Sequence, residues 1–382
     1  MDGFPPAPEG QVTLGNWRAP NFNRWGFQHV REIVPSADIP NDPADVWALE
    51  AKPVELALGD FLEATNTDAL AILRRGKLVF EHYANGMTAD TPHILMSISK
   101  SMLGLLAGVL AGRRELDAER LVSHYVPEVG DTAYRGATVR HLLDMRSGIA
   151  FDEDYLATSG PIVAYRKATG WNPPEPGEPV SDLRSYYRQL TETEAPHGGR
   201  FHYVSPNTDL LGWVIERATG RRYADLMSEL IWRPLGAARS ASITVDRLGA
   251  PRCAGGMCVT ARDLARVGQL VAESGSRGRE QVVPASWIDD IAHHGDAGAW
   301  AIGSLLDVFP GLPMRYRSKW YVLDEEAQLL FGWGIHEQHL FVDRRNAIVI
   351  AKMSSQALPV DVPRMAKTLK TVSQIRSALL GD

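Results

Sequence analysis

SISKSMLGLLAGVLAG, residues 97–112, carries apolar side chains at Ile98, Met102, Leu105, Leu106 and Val109. That spacing is helical. The opposite face, with Ser97, Lys100, Ser101, Gly104 and Gly108, is small or polar and lets other chain segments come close. A serine hydroxyl becomes an effective nucleophile only when a base takes its proton. A lysine three residues along a helix lies beside the serine, and desolvation lowers the pKa of its ammonium so that it can be that base. The helix N-terminus adds a dipole that favours negative charge developing near Ser97. Ser-x-x-Lys arises by chance roughly once in a chain this long, so the setting matters more than the tetrapeptide. Here it opens an apolar helix directly after a hairpin and the linker TPHILM.

Working outward, residues 68–84 (DALAILRRGKLVFEHYA) read as two β runs around the turn Arg74-Arg75-Gly76-Lys77. Residues 1–50, rich in Pro and Asn, are expected to wrap the surface with a short helix near Phe27–Ile33. Residues 115–295 read as mostly helical with long loops: VRHLLDMRSG, DLRSYYRQL, LLGWVIERATG, YADLMSELIW, TARDLARVGQLVAESG and ASWIDDIAHH. The Pro-rich stretch Trp171–Val180 reads as a surface loop. From about residue 315 the pattern returns to strands, KWYVLD, LLFGWGIHEQHLFVD and AIVIAKMSS, with Asp343-Arg344-Arg345-Asn346 turning between the last two. The tail 361–380 reads as an amphipathic helix. The fold class is therefore α+β. Residues 1–114 and 296–382 supply an antiparallel sheet with flanking helices, residues 115–295 supply a mainly helical lobe, and the active site belongs in the cleft between them.

Two further elements bear on chemistry. Tyr203, in YVSPN, is a phenol that could pass a proton to a leaving group if a nearby cation such as Lys100 lowered its pKa. Taken alone it reads rather as a loop tyrosine before a helix that Asn207 caps. Gly332-Trp333-Gly334-Ile335-His336 reads as strand, and glycines there often mark close approach of a ligand backbone. The Ile335 and Ser97 N–H groups could form an oxyanion hole; the bland alternative is a β-bulge.

Bulk properties exclude several classes. The 382 residues suit two domains or one fold with two lobes. A composition 45% apolar and 23% charged is ordinary for a globular protein. The net charge of −6 argues against a nucleic-acid partner. Cys253 and Cys258 are too few for a disulfide framework and read as buried thiols. MDGFPPAPEGQ has neither a basic start nor an apolar core of a leader, and Met102–Gly112 is too short to cross a bilayer, so a cytoplasmic location without a membrane partner is expected. His336-Glu337-Gln338-His339 falls one residue short of a His-Glu-x-x-His zinc motif, and His293-His294 with Asp296 reads as a solvated loop. With no phosphate loop or dinucleotide fingerprint either, no metal or cofactor is expected.

All three elements, in this order, resemble the serine β-lactamase and penicillin-binding superfamily, whose motifs are Ser-x-x-Lys, a Tyr- or Ser-centred motif, and Lys-Thr-Gly on a strand. The chain is more closely similar to the 6-aminohexanoate-dimer (nylon-oligomer) hydrolases and the family VIII carboxylesterases. NWRAPNFNRWGF, HILMSISKSMLG, FDEDY, FHYVSPNTDLLGWVIERATG, SASITVD, GGMCVTARDLARVG and GIHEQHLFVD carry that likeness from Trp17 to Ser355. It implies Ser97 as nucleophile, Lys100 as base, Tyr203 as proton shuttle, and an oxyanion hole from the N–H groups of Ser97 and Ile335. It implies that Tyr155 hydrogen-bonds the substrate and that Trp171 closes over it; Asn207, Trp333, Gly334 and His336 complete the expected substrate-binding set. Arg166 stands where efficient nylon-dimer hydrolases have an Asp thought to hold an ammonium. Arg166 suits a carboxylate or a neutral ester instead. Ala254 and Val360 also depart from residues that tune that activity. Gly332 replaces the lysine of the third motif, which counts against antibiotic or peptidoglycan substrates.

The reading is a serine hydrolase of small carboxylic esters, and of amides such as the linear 6-aminohexanoate dimer at low efficiency, acting through an acyl-enzyme. A β-lactamase or D-peptidase is the alternative within enzymes, and a catalytically silent binding protein the alternative outside them. The partner is a small molecule, a homodimer is left open, and either Lys100 or a deprotonated Tyr203 could be the base, since such a pair titrates jointly.

Overall fold

A computed structural model describes residues 7–324 and 329–381; residues 1–6 of the N-terminal stretch read above lie outside it. In chain order the strands are β1 (Ser36–Ile39), β2 (Thr67–Arg74), β3 (Lys77–Tyr83), β4 (His93–Ile94), β5 (Ala241–Thr244), β6 (Met257–Val259), β7 (Ser276–Arg277), β8 (Glu280–Gln281), β9 (Arg315–Arg317), β10 (Trp320–Asp324), β11 (Leu329–Gly334), β12 (Gln338–Asp343) and β13 (Ile348–Ser354). A seven-stranded sheet runs β3-β2-β13-β12-β11-β10-β9, and a four-stranded sheet runs β1-β5-β6-β4. Every pairing between these strands is antiparallel.

The large sheet is covered on both faces because its central strands β2 and β13 carry apolar side chains on both. Side chains alternate across a strand. In β2, Ala69, Ala71 and Leu73 enter one core while Leu70 and Ile72 enter the other. In β13, Val349, Ala351 and Met353 divide in the same way from Ile348 and Ile350. The first core is closed by the helices Ile98–Gly112 and Ala261–Ala272. The second is closed by the C-terminal helix Val362–Gly381 through Met365, Val372, Ile375 and Leu379, a helical stripe. This is the layered α+β arrangement that the periodicities called for.

The β2–β3 turn spans Arg74 to Lys77 as expected, with those two residues paired across it. Only Arg75 and Gly76 lie between them, at φ 51° and 76°. A two-residue turn with both φ positive matches the twist of its strands. The helix expected near Phe27–Ile33 is replaced by two short turns, Asn23–Gly26 and Val30–Glu32. GWGIH is not one strand. β11 ends at Gly334, and His336 and Glu337 (φ 62° and 69°) turn the chain into β12. Asp296 is no idle loop residue: it caps the helix Ala297–Ala301 and pairs with Arg146 at 2.9 Å. β1, β5 and β6 had no sequence expectation.

The small sheet seats the helix that begins at Ile98. β4 lies immediately before it and pairs with β6. The Leu95 N–H donates to the Met257 carbonyl at 2.8 Å, and the Met257 N–H donates to Ser99 Oγ at 3.1 Å. From the other side, the turn between β9 and β10 touches Gly104, where an added Cβ would lie 2.2 Å from the Ser318 carbonyl oxygen. Gly104→Ala should therefore lower stability by about 1–3 kcal/mol in denaturant unfolding, because the helix and turn must separate. Gly59→Ala, at a helical position whose Cβ meets nothing, should stay within about 0.5 kcal/mol of the parent.

Candidate active site

Ser97 is the N-cap residue of the helix Ile98–Gly112, so the N-terminal dipole of that helix is directed at its hydroxyl. The preceding residue, Met96, has φ 47°, an uncommon conformation for a non-glycine residue and one that clusters at functional sites. Lys100, one turn on, is 1% exposed. Its Nζ lies 2.7 Å from Ser97 Oγ and donates to the Ala254 carbonyl at 2.8 Å. Burial is the main force on this amine and lowers its pKa to about 7, with Glu153 pulling the other way.

Ala254 is held in turn. Its N–H donates to Asp209 Oδ1 at 2.8 Å, and Asp209 pairs with Arg252 and Tyr165, all three buried. The segment 252–256 leads into β6, so the small sheet and the buried Asp209–Arg252 pair together fix the oxygen that holds Lys100. A second buried amine, Lys319, donates to the Leu142 carbonyl at 2.6 Å, and burial followed by the charge on Lys100 depresses its pKa.

Tyr203 lies across the amine, with Lys100 Nζ 4.8 Å from its ring centroid. Burial raises the phenol's pKa well above its usual value, although hydrogen bonding to Ser97 and Tyr321 opposes this. Its ring packs against Phe201 and Tyr321 in a larger aromatic group that includes Phe309 and Phe331.

The end of β11 forms the third wall. Gly332 and Gly334 face the first turn of the helix. A Cβ on Gly334 would sit 2.9 Å from the Ser97 nitrogen and 2.7 Å from the Leu95 carbonyl oxygen. Only a residue without a side chain lets the strand come this close. Trp333, between the two glycines, points to the opposite face and packs against Phe309 at 5.4 Å.

A cleft of about 380 Å³ opens over Ser97. Of the residues singled out in the sequence, Ser97, Tyr155, Arg166, Trp171, Ala254 and Ile335 line it, and Lys100 and Tyr203 lie beneath Ser97. Trp171 is already wedged in place: its Nε1–H donates to Thr244 at 3.0 Å, and its ring lies 5.3 Å from that of Trp17. Four residues of the expected substrate-binding set do not line the cleft; one is Gly334, which packs against the start of the helix. Trp333 belongs to the aromatic core. His336 is buried against Phe27, with Nδ1 2.7 Å from the Gln356 carbonyl. Asn207 sits one residue inside the helix Pro206–Thr219, whose N-cap is Ser205, so it is not the cap. Its Oδ1 accepts from Tyr134 and Ser147 at 3.0 and 2.8 Å. His339, with Nε2 3.3 Å from Glu337, and His336 have separate partners, and both cysteines are buried free thiols.

Among the lining residues that had not been singled out, the polar ones are Arg18, Glu153, Ser205 and Arg252. Glu153 accepts from the Ser205 N–H at 2.8 Å and from its hydroxyl. The acidic run FDEDY, which drew notice only for Tyr155, was the available signal for Glu153. Nothing local marks Arg18 or Arg252, which arrive from distant segments.

The family described as Beta-lactamase matches residues 58–372. The 6-aminohexanoate-dimer hydrolase of Paenarthrobacter ureafaciens is 36% identical over 359 residues, covering 92% of this chain and 90% of that protein. A solved Bacillus anthracis protein, provisionally named a 6-aminohexanoate-dimer hydrolase, superposes with a TM-score of 0.87 at 26% identity, covering 96% of this chain and 97% of its own. A solved family VIII carboxylesterase shares the fold with a TM-score of 0.60 at 16% identity, covering 82% of this chain and 94% of its own. Among the described residues, no helix is long and apolar enough to cross a membrane.

Asp209→Ala should strip a buried guanidinium of its partner and cost about 3–5 kcal/mol of stability in urea unfolding. An unchanged midpoint would show that the Arg252 pair carries little.

Proposed function

The chain belongs to the beta-lactamase family and is a serine hydrolase of esters or amides; we propose that it works through a covalent acyl-enzyme formed on Ser97. The observation that carries this reading is the buried Lys100 amine 2.7 Å from Ser97 Oγ, at the floor of a cleft. With a pKa lowered to about 7, Lys100 holds a substantial neutral fraction at neutral pH. Tyr203, whose phenol is pushed up by burial, keeps its proton. The pair is therefore neutral amine and phenol rather than ammonium and phenolate. Lys100 is the base and Tyr203 the acid.

In acylation, Ser97 Oγ passes its proton to Lys100 and attacks the carbonyl carbon. The oxyanion takes hydrogen bonds from the N–H groups of Ser97 and Ile335, a pairing supported by the close approach of Gly334 to the Ser97 nitrogen. As the carbon–oxygen or carbon–nitrogen bond breaks, Tyr203 gives its proton to the leaving group and regains one from Lys100. In deacylation, water gives a proton to the same pair, attacks the acyl carbon, and Ser97 leaves with a proton returned.

Short esters are favoured, since Arg166 suits a carboxylate or a neutral ester. The activity named for the Paenarthrobacter ureafaciens relative, cleavage of the 6-aminohexanoate dimer, is proposed here at lower efficiency, because Arg166 opposes an ammonium end. A β-lactamase or D-peptidase finds less support, since Gly332 leaves the third motif without its cation.

The sign of the pH dependence follows from the base. Only the neutral amine is active, so kcat/KM on p-nitrophenyl butyrate should rise about tenfold per pH unit below 7 and level off above it, with a midpoint near 7. The raised phenol of Tyr203 should keep that plateau past about pH 10. Ser97→Ala should lose about 10⁴-fold or more in kcat, and Lys100→Ala about 10²–10⁴-fold. Equal rates for Ser97→Ala and the parent would sink the reading, and cephalosporin turnover that matches the ester would overturn the preference for esters.

A further inference from the structure

The cleft walls carry an excess of positive charge. Arg18, Arg166 and Arg252 all line it, against one carboxylate, Glu153. Arg252 is balanced by Asp209. Glu153 is occupied by the N–H and hydroxyl of Ser205. Among the described residues, Arg18 and Arg166 have no carboxylate partner within salt-bridge distance. The hydrogen bonds of Arg166 go to backbone carbonyls, chiefly that of Tyr155 at 2.9 Å. Arg18 reaches the side-chain oxygen of Asn172. The Nε–H groups of Arg18 and Arg252 are buried and have no hydrogen-bond partner among the described residues. Buried donors are rarely left so.

The arrangement is rigid. The guanidiniums of Arg18 and Arg252 both pack on the Trp171 ring, at 5.5 and 5.0 Å from its centroid. Stacking fixes a planar guanidinium at low entropic cost, so its donors are pre-aimed. Burial disfavours the charge on Arg18, and repulsion from Arg166 and Arg252 adds to this. A cluster of like charges in a small cleft beside the nucleophile is a poor stabilising device. It is a good receptor for an anion, which would satisfy open donors and relieve the repulsion.

Building on the hydrolase reading above, we propose that the preferred substrate is a short ester or amide that carries a carboxylate, held by Arg18 and Arg166 while its scissile carbonyl lies at Ser97. Arg252 is a positioning residue that stacks on Trp171. Neutral chains of the same length lack the anchor, and cationic chains meet like charge.

Three phenyl esters of matched chain length test this: the hexanoate (neutral), the 6-aminohexanoate (cationic) and the adipate monoester (anionic), with released phenol as the readout. The order of kcat/KM should be anionic, then neutral, then cationic. The anionic-to-neutral ratio should be at least about tenfold, and it should shrink as salt is raised to about 0.5 M. Arg18→Gln and Arg166→Gln should each lower that ratio by about tenfold or more. Two variants are used because Arg18 also supports Trp171. Hydrolysis of all three esters with no anionic preference would overturn the proposal, and so would a ratio that neither variant moves. If none of the esters is hydrolysed, the hydrolase reading fails, and calorimetric titration with adipate and with hexanamide still decides the anion site. Adipate binding at least about tenfold tighter than hexanamide, and weakened by either variant, supports it; equal or undetectable binding overturns it.

Discussion

A lysine amine buried against a serine hydroxyl at a helix N-terminus is the constraint around which this molecule is arranged. An ammonium removed from water is costly unless it is paired, and the usual response is loss of the proton. Among the described residues, Lys100 has no carboxylate within salt-bridge distance. It has the Ala254 carbonyl on one side and Ser97 on the other. The site therefore converts the cost of burial into basicity directed at one hydroxyl. That outcome requires the Ala254 carbonyl to stay fixed and the strand opposite to come very close.

Both conditions trace to the tertiary structure. The Ala254 carbonyl is held by a chain of buried partners, from Asp209 through Arg252 to the aromatic ring of Trp171. The close approach of β11 depends on two glycines facing the helix, with Trp333 sent to the other side by the alternation of the strand. The turn after Gly334 is anchored by a separate buried group. Glu337, whose pKa stays low despite burial through His339 and Lys352, also accepts from Thr368 of the C-terminal helix at 2.7 Å. Ser97 and Lys100 are thus fixed from three directions: the small sheet, the large sheet and the helix N-terminus. Preorganisation of this kind lets hydrogen-bond donors meet developing charge without rearranging.

Much of this was legible in the sequence where a local period carried it. The helix after Ser97, the β2–β3 hairpin, the strands from Arg315 onward and the C-terminal helix all show their spacing directly. β1, β5 and β6 were missed because each has only three or four residues, too few to show alternation, and because two of them interrupt a region dominated by helical pattern. The break after Gly334 was missed because His336 and Glu337 adopt positive φ without the Asn-Gly signature that usually announces such a turn. Asn207 looked like a helix cap because its residue type suits one, yet the helix starts one residue earlier and the side chain bonds inward. Within the cleft, Ser97, Tyr155, Arg166, Trp171 and Ile335 were anticipated through the family likeness. Arg18, Arg252 and the engagement of Glu153 were not, since convergence of distant segments leaves no trace in local spacing.

The central claim is that Ser97 becomes covalently acylated. It is tested most directly by mixing the protein with a slowly deacylated short ester, quenching in acid during turnover, and locating any added mass by peptide mapping. The account predicts one acyl group on the peptide that contains Ser97, absent from Ser97→Ala. Turnover of the ester with no adduct, or with the adduct on another residue, would contradict it.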